Sequence, residues 1–209
     1  MGVLAGTMSY KAYYVEGYDP MGVEFSEWFE VFKKNTFKEI ETERGEKESF
    51  GFVDSRDLFS TELIFEHMFI DNYVYLNFRR DTIKLQKSVL ERYAREIMEK
   101  FFQNKKMTKQ LKKEINTRAE AKYIKQVFPT INSYEAVWNV ETKILYFFNQ
   151  SGSINEKFSE IFSRLMNVEL IELETATFAA SFLDEKELDI FESTSPSALI
   201  LDDEIIRGE

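Results

Sequence analysis

Hydrophobic and polar positions in the first part of the chain predict one strand followed by one helix. MSYKAYYV, residues 8–15, alternates in the manner of a strand. FSEWFEVFKKNTF, residues 25–37, has helical periodicity instead, because its large apolar residues recur at intervals of three and four: Phe25, Trp28, Phe29 and Phe32.

Three further apolar segments predict extended structure. They are FGFVD, LIFEHMFI and YVYLNFRRD, which together lie between residues 50 and 81. Asp71 and Asn72 separate the last two segments, and such residues favour a tight turn. We therefore expect a β-hairpin here.

The apolar period then changes to that of two helices. A first helix is predicted from Thr82 to Phe102, with one apolar face formed by Ile83, Leu90, Ala94, Ile97 and Phe101. After a polar turn at residues 103–104, a second is predicted from Thr108 to Lys125, where an apolar residue recurs every fourth position: Leu111, Ile115, Ala119 and Tyr123. Two long helices joined by a short loop form a helical hairpin.

Beyond residue 129 the pattern returns to strands. AVW and ILYFF flank residues 139–143 as a second hairpin, SINEKFSEIFSRLMN predicts a helix, and VELIEL predicts a final strand. Ser153 and Glu156 have the spacing of a capping box at the start of that helix. The order of elements predicts an α+β fold, an antiparallel-sheet body with helices and an inserted basic helical hairpin. The corresponding segments are 1–78 and 129–183 for the body, 79–128 for the hairpin, and 184–209 for an acidic tail that includes a short helix, DEKELDIFE.

Composition narrows the class of protein. With 209 residues, of which 44% are hydrophobic, the chain can bury a sizeable core. The absence of cysteine excludes disulfides, cysteine-ligated zinc, iron–sulfur clusters and a thiol nucleophile. The sequence has neither a signal-peptide pattern nor an apolar run long enough for a membrane span, so a soluble, cytoplasmic protein is expected.

Charge is distributed very unevenly. Residues 79–125 have 15 basic against 6 acidic side chains, a net charge of +9, although the whole chain has a net charge of -10. The flanking residues 1–78 and 126–209 have net charges of -8 and -11. One interpretation is a surface that binds phosphates, and the other is a solvated helical hairpin with ordinary lysine-rich faces.

Residues able to perform catalysis are few. His67 is the only histidine, and its place in an apolar segment favours a packed or hydrogen-bonded role. Glu141 and Lys143 have the E-x-K spacing of one class of metal-dependent nucleases, but a hairpin turn explains the same residues. No glycine-rich phosphate loop is present. We therefore expect no enzymatic activity, metal or cofactor.

Dispersed segments resemble the RdgC family of recombination-associated proteins, particularly its short bacterial members. They are MGVLAGTMSYKAYYVEG, FGFVDSRD, YVYLNFRRDTIKLQKSVLERYAREIMEK, WNVETKILYFF and NEKFSEIFSRLMNVELIEL, within residues 1–172. The resemblance implies a non-enzymatic, nucleoid-associated protein that forms a homodimeric ring or clamp on double-stranded DNA without sequence preference and limits access of RecA. The matching basic segment would supply the cations. A protein-interaction regulator with an acidic surface and a metal-dependent nuclease are the alternatives.

The candidate DNA contacts lie in the basic segment. They are Arg79, Arg80, Lys84, Lys87, Lys105, Lys106, Lys109, Lys112 and Lys113. At about 100° per residue, Lys109, Lys112 and Lys113 share one side of the second helix, whereas Arg118, Lys122 and Lys125 share another. This arrangement suits either a bend near Asn116-Thr117 or a division of roles between DNA and the acidic body. The group nearest the loop is the expected phosphate contact.

Overall fold

The computed structural model describes residues 9–102 and 107–174, together with Leu183, Lys186, Glu187, Ile190 and Ser193. The chain divides into two compact units, residues 1–172 and 173–209, and the elements below belong to the first. The strands are β1 (Lys11–Glu16), β2 (Glu48–Val53), β3 (Phe69–Ile70), β4 (Tyr73–Thr82), β5 (Thr130–Asn139), β6 (Ile144–Phe147) and β7 (Glu169–Glu172). The helices are α1 (Phe25–Lys34), α2 (Phe65–Met68), α3 (Lys87–Phe101), α4 (Lys109–Ile124) and α5 (Gly152–Met166).

The strands form one antiparallel sheet that curls into a half-barrel, which confirms the predicted α+β class. Its order is β2-β4-β5-β6-β1-β7, and the two-residue β3 pairs with β4 beside the end of β2. β4 and β5 pair along their whole length, from Tyr73 opposite Asn139 to Thr82 opposite Thr130. Both predicted hairpins, β3–β4 and β5–β6, are present.

One face of the sheet forms the core with α1 and α5. Side chains alternate along a strand, so Val74, Leu76 and Phe78 of β4 all lie on this face, where they are almost completely buried. The ring of Phe158 in α5 stacks on Phe147 of β6 with centroids 4.1 Å apart. This aromatic packing fixes the body from which the helical hairpin extends.

The predicted helical hairpin is also present and has an apolar core of its own. The buried side chains between its helices are Tyr93, Ile97, Phe102, Leu111, Ile115 and Ala119. Helix α3 begins at Lys87 and not at Thr82, because β4 remains paired with β5 as far as Thr82. Phe101, which we expected on the apolar face, is 65% exposed, and Tyr93 is buried instead.

Two local predictions were wrong. The segment predicted as a strand over residues 63–70 contains the short helix α2, and only Phe69 and Ile70 pair with β4. The N-cap of α5 is Ser151 and not Ser153, which already lies in the first turn of the helix. The side chain of Asn149 accepts a hydrogen bond from the Ser151 backbone N–H, and this contact fixes the entry to the helix two residues earlier.

The predicted tail helix and acidic end lie almost wholly outside the described residues. Among the described residues, no helix combines the length and apolar character needed to cross a membrane.

Candidate nucleic-acid interface

Arg79 is directed into the protein. Its guanidinium donates two hydrogen bonds of 2.7 Å to the Asp81 carboxylate and a third to the Leu58 carbonyl oxygen. The ring of Phe37 lies 4.3 Å from the guanidinium carbon, and the whole residue is only 8% exposed. Since its charge is paired and buried, we remove Arg79 from the candidate contact set.

Arg80 lies on the opposite face of β4 and is half-buried. Its guanidinium donates a 2.7 Å hydrogen bond to Glu48 on the neighbouring strand β2. That hydrogen bond raises the pKa of Arg80 above its usual value, because it stabilises the charged form. The charge of Arg80 is thus largely compensated within the body.

The cations on the second side of α4 are also paired. Arg118 binds Glu114 at 2.8 Å, Lys122 binds Glu96 of α3 at 3.1 Å, and Lys125 lies 3.8 Å from Glu43 of the body. The hydrogen bond from Lys122 is the largest influence on Glu96 and lowers the pKa of that carboxyl.

Helix α4 runs without a break through Asn116 and Thr117. Of the two arrangements inferred from the sequence, a bend or a division of roles, the ion pairs favour the second. Arg118, Lys122 and Lys125 bind acidic side chains of the protein, whereas Lys109, Lys112 and Lys113 have no such partner among the described residues.

Several cations of the hairpin have no ion pair with any side chain in the described part of the chain. All are exposed, and they are Lys84, Lys87, Arg95, Lys100, Lys109, Lys112 and Lys113. Lys105 and Lys106, in the loop between the helices, lie outside the described residues. Apart from Lys84 and Lys87, the unpaired cations lie in the halves of α3 and α4 nearest the loop.

The start of α4 is unusually positive. Thr108 caps the helix by accepting a hydrogen bond from the Leu111 N–H, and the first turn has no acidic side chain. A helix N-terminus already has a partial positive charge and normally attracts acidic residues. Here Lys109, Lys112 and Lys113 add their charges to it, so the local field strongly favours an anion.

A groove between α3 and α4 adjoins this positive end. It has a volume of about 460 Å³, with Met98, Met107 and Ile115 among its apolar residues. Arg95 of α3 and Lys112 of α4 both line it. Unpaired cations from both helices therefore lie on this side of the hairpin.

Glu141 and Lys143 lie in the β5–β6 turn and make structural contacts. Glu141 accepts a hydrogen bond of 2.9 Å from the Asn72 side chain, and Lys143 donates one of 3.1 Å to the Tyr18 carbonyl oxygen. Within residues 9–102 and 107–174, no three histidine or acidic side chains are placed to hold a metal ion together. Both side chains of the E-x-K spacing thus make contacts within the protein.

Sequence reasoning missed the acidic partners that distinguish the two groups of cations. The Glu114–Arg118 pair has i, i+4 spacing, so helical periodicity could have identified it. Glu43 and Glu96 are far from their lysine partners in the sequence, and no local pattern indicates those contacts.

Neither a protein-family model nor a curated protein sequence matches the chain. The resemblance to the RdgC family therefore rests on the dispersed segments alone.

Proposed function

We propose that the protein binds double-stranded DNA without sequence preference through the end of the α3–α4 hairpin nearest the loop. The observation that carries this proposal is the cluster of Lys109, Lys112 and Lys113 at the N-terminus of α4, exposed and without an ion pair among the described residues. Clustering like charges at a positive helix end is unfavourable in isolation. A bound phosphate removes that repulsion.

The distribution of acidic residues supports the same surface. On the second side of α4, Glu114, Glu96 and Glu43 neutralise Arg118, Lys122 and Lys125. An anion approaching the body also meets acidic segments of the first unit, because residues 1–78 and 126–172 have net charges of -8 and -3. Both effects direct a polyanion to the loop end of the hairpin.

Lysines on a single helix side suit phosphate contacts better than base recognition. A lysine ammonium is a flexible point charge, whereas bidentate base recognition typically uses arginine, asparagine or glutamine. Phosphate contacts position a protein on the duplex and convey no sequence information directly. The proposed binding is therefore independent of sequence.

The wider biological proposal depends on the RdgC resemblance. It is that two copies of the chain form a ring or clamp around the duplex in the nucleoid and limit the access of RecA. In that ring or clamp, the phosphate-binding surface described above would line the DNA channel or lie at its entrance. The protein performs no chemistry on the DNA in this proposal.

Duplex binding can be measured by fluorescence anisotropy with two labelled duplexes of unrelated sequence and equal length. We expect equal affinities for the two duplexes, because the contacts are to phosphates. If three phosphates are neutralised, the affinity should fall about 40-fold between about 50 mM and about 200 mM salt. A competing protein-interaction role predicts no binding to either duplex at low salt. A large preference for one duplex would contradict the proposed mode of recognition.

A further inference from the structure

A second cleft lies beside strands β4 and β5. A cleft of about 270 Å³ is formed where α2 and the segment after β2 approach strands β4 and β5. Its lining residues are Ser55, Arg56, His67, Ile70, Tyr75, Leu76, Glu135, Ala136 and Val137. It is distinct from the hairpin surface, and no step of DNA binding uses it.

His67 in this cleft is held by a buried carboxylate. Its Nδ1 lies 2.9 Å and 3.0 Å from the two carboxylate oxygens of Asp54, which is only 3% exposed. The backbone N–H groups of Arg56 and Ile64 also donate to Asp54. Burial alone raises the pKa of Asp54, but these hydrogen bonds outweigh it and lower the pKa below its usual value. Asp54 is thus an anion that accepts from Nδ1–H.

The hydrogen bond from Nδ1 to Asp54 determines whether Nε2, the other ring nitrogen of His67, acts as a donor or as an acceptor. With the proton of neutral His67 held on Nδ1, Nε2 has a free lone pair and acts as a hydrogen-bond acceptor. Among the described residues, no group bonds to Nε2, and the side chain is 23% exposed. Ser55 is nearby, but its hydroxyl donates to the His67 carbonyl oxygen at 2.7 Å. Nε2 is therefore available to a molecule in the cleft.

The rest of the cleft provides the cation Arg56, the acidic side chain of Glu135 and an apolar surface. Arg56 is exposed, and its guanidinium has no ion pair with another described side chain. Tyr75 and Val137 face each other across β4 and β5 and form part of the floor. Since a cavity of about 150 Å³ admits benzene, the larger volume here admits a substituted six-membered ring.

We propose that this cleft binds a small hydroxylated organic acid, whose hydroxyl donates to Nε2 of His67 and whose carboxylate pairs with Arg56. The apolar body of the ligand packs on Tyr75 and Val137. Asp54 is a positioning residue that fixes the orientation and tautomer of His67. The site and its ligand are independent of the proposed DNA contact.

The single histidine provides a direct experimental probe, because its ring gives the only histidine signals in an NMR spectrum. The protein labelled with ¹⁵N-histidine is titrated with 4-hydroxybenzoate and 3-hydroxybenzoate at a pH where His67 is neutral. At least one probe is expected to shift the ring signals saturably. Benzoate lacks the hydroxyl, 4-hydroxybenzyl alcohol lacks the carboxylate, and each should bind about tenfold or more weakly. The proposal is overturned if neither hydroxybenzoate causes a saturable shift, or if benzoate binds equally well.

Two variants separate the roles of Arg56 and Asp54. Arg56→Gln changes an exposed side chain and should weaken hydroxybenzoate binding about tenfold or more while leaving the histidine tautomer unchanged. Asp54→Asn should shift the tautomer from Nδ1–H towards Nε2–H, because an amide group can donate to Nδ1. If Arg56→Gln binds hydroxybenzoate as tightly as the unaltered protein, Arg56 does not pair with the ligand carboxylate. If the tautomer populations of His67 are the same in Asp54→Asn, Asp54 does not fix the tautomer. Either of these two results would overturn the proposal.

Discussion

Replacing Asp81 by asparagine is expected to lower the free energy of unfolding by about 3–5 kcal/mol. Asp81 is 2% exposed and accepts two hydrogen bonds from the buried guanidinium of Arg79. Asparagine has no charge and only one acceptor oxygen, so it leaves an uncompensated cation inside the protein. Urea denaturation of the two proteins, monitored by circular dichroism, measures the difference.

Glu48→Gln is the matched control, since it removes one carboxylate from the neighbouring arginine. Glu48 binds Arg80 at the surface, with 42% of its side chain exposed, and solvent can replace the lost contact. We expect a change of about 1 kcal/mol or less. Equal destabilisation by the two substitutions would mean that Arg79 is no more dependent on its partner than a surface arginine, which would restore it as a candidate DNA contact.

Reversing the charge at Lys109, Lys112 and Lys113 together is expected to reduce duplex affinity at least about 100-fold near 0.1 M salt. Each substitution by glutamate removes a phosphate contact and adds a repulsion at the same position. All three side chains are exposed, so the fold should persist. Anisotropy titrations with a labelled duplex measure the affinity, and circular dichroism verifies the helical content.

A control with the same change in net charge uses Lys33, Lys34 and Lys38, at the end of α1 and in the segment after it. These lysines are exposed and lie away from the hairpin in sequence. The triple substitution by glutamate at these positions should weaken binding by less than about tenfold, through the long-range field alone. If the two triple variants lose affinity to the same extent, DNA responds to net charge and not to the N-terminus of α4.

Most of the fold was predictable because the apolar periods are strong and local. The helical hairpin was predicted from the four-residue repeat of Leu111, Ile115 and Ala119, all of which are buried. The end of β4 was misplaced because Ile83 fits both a helical face and the buried connection in which it lies. Pairing with β5, a partner some 50 residues away, decides where the strand ends. No local propensity contains that information.

The candidate site was predictable only in part. The division of α4 into two basic sides follows from helical geometry, but which side is free depends on distant partners such as Glu43 and Glu96. Arg79 resembles any other basic residue of the segment in the sequence, and its burial depends on Phe37 and Asp81 in the folded protein. His67 was expected to have a hydrogen-bonded role, which is confirmed, yet its partner Asp54 was not identified.

The salt dependence of duplex binding tests the central claim most directly, because its slope counts the phosphates that the protein neutralises. The logarithm of the association constant is measured against the logarithm of the salt concentration for the unaltered protein and for the variant with glutamine at 109, 112 and 113. Each phosphate contact contributes about -0.9 to the slope, so loss of three contacts should make the slope shallower by about 2.7. Identical slopes for the two proteins would contradict the assignment of these lysines to the DNA interface.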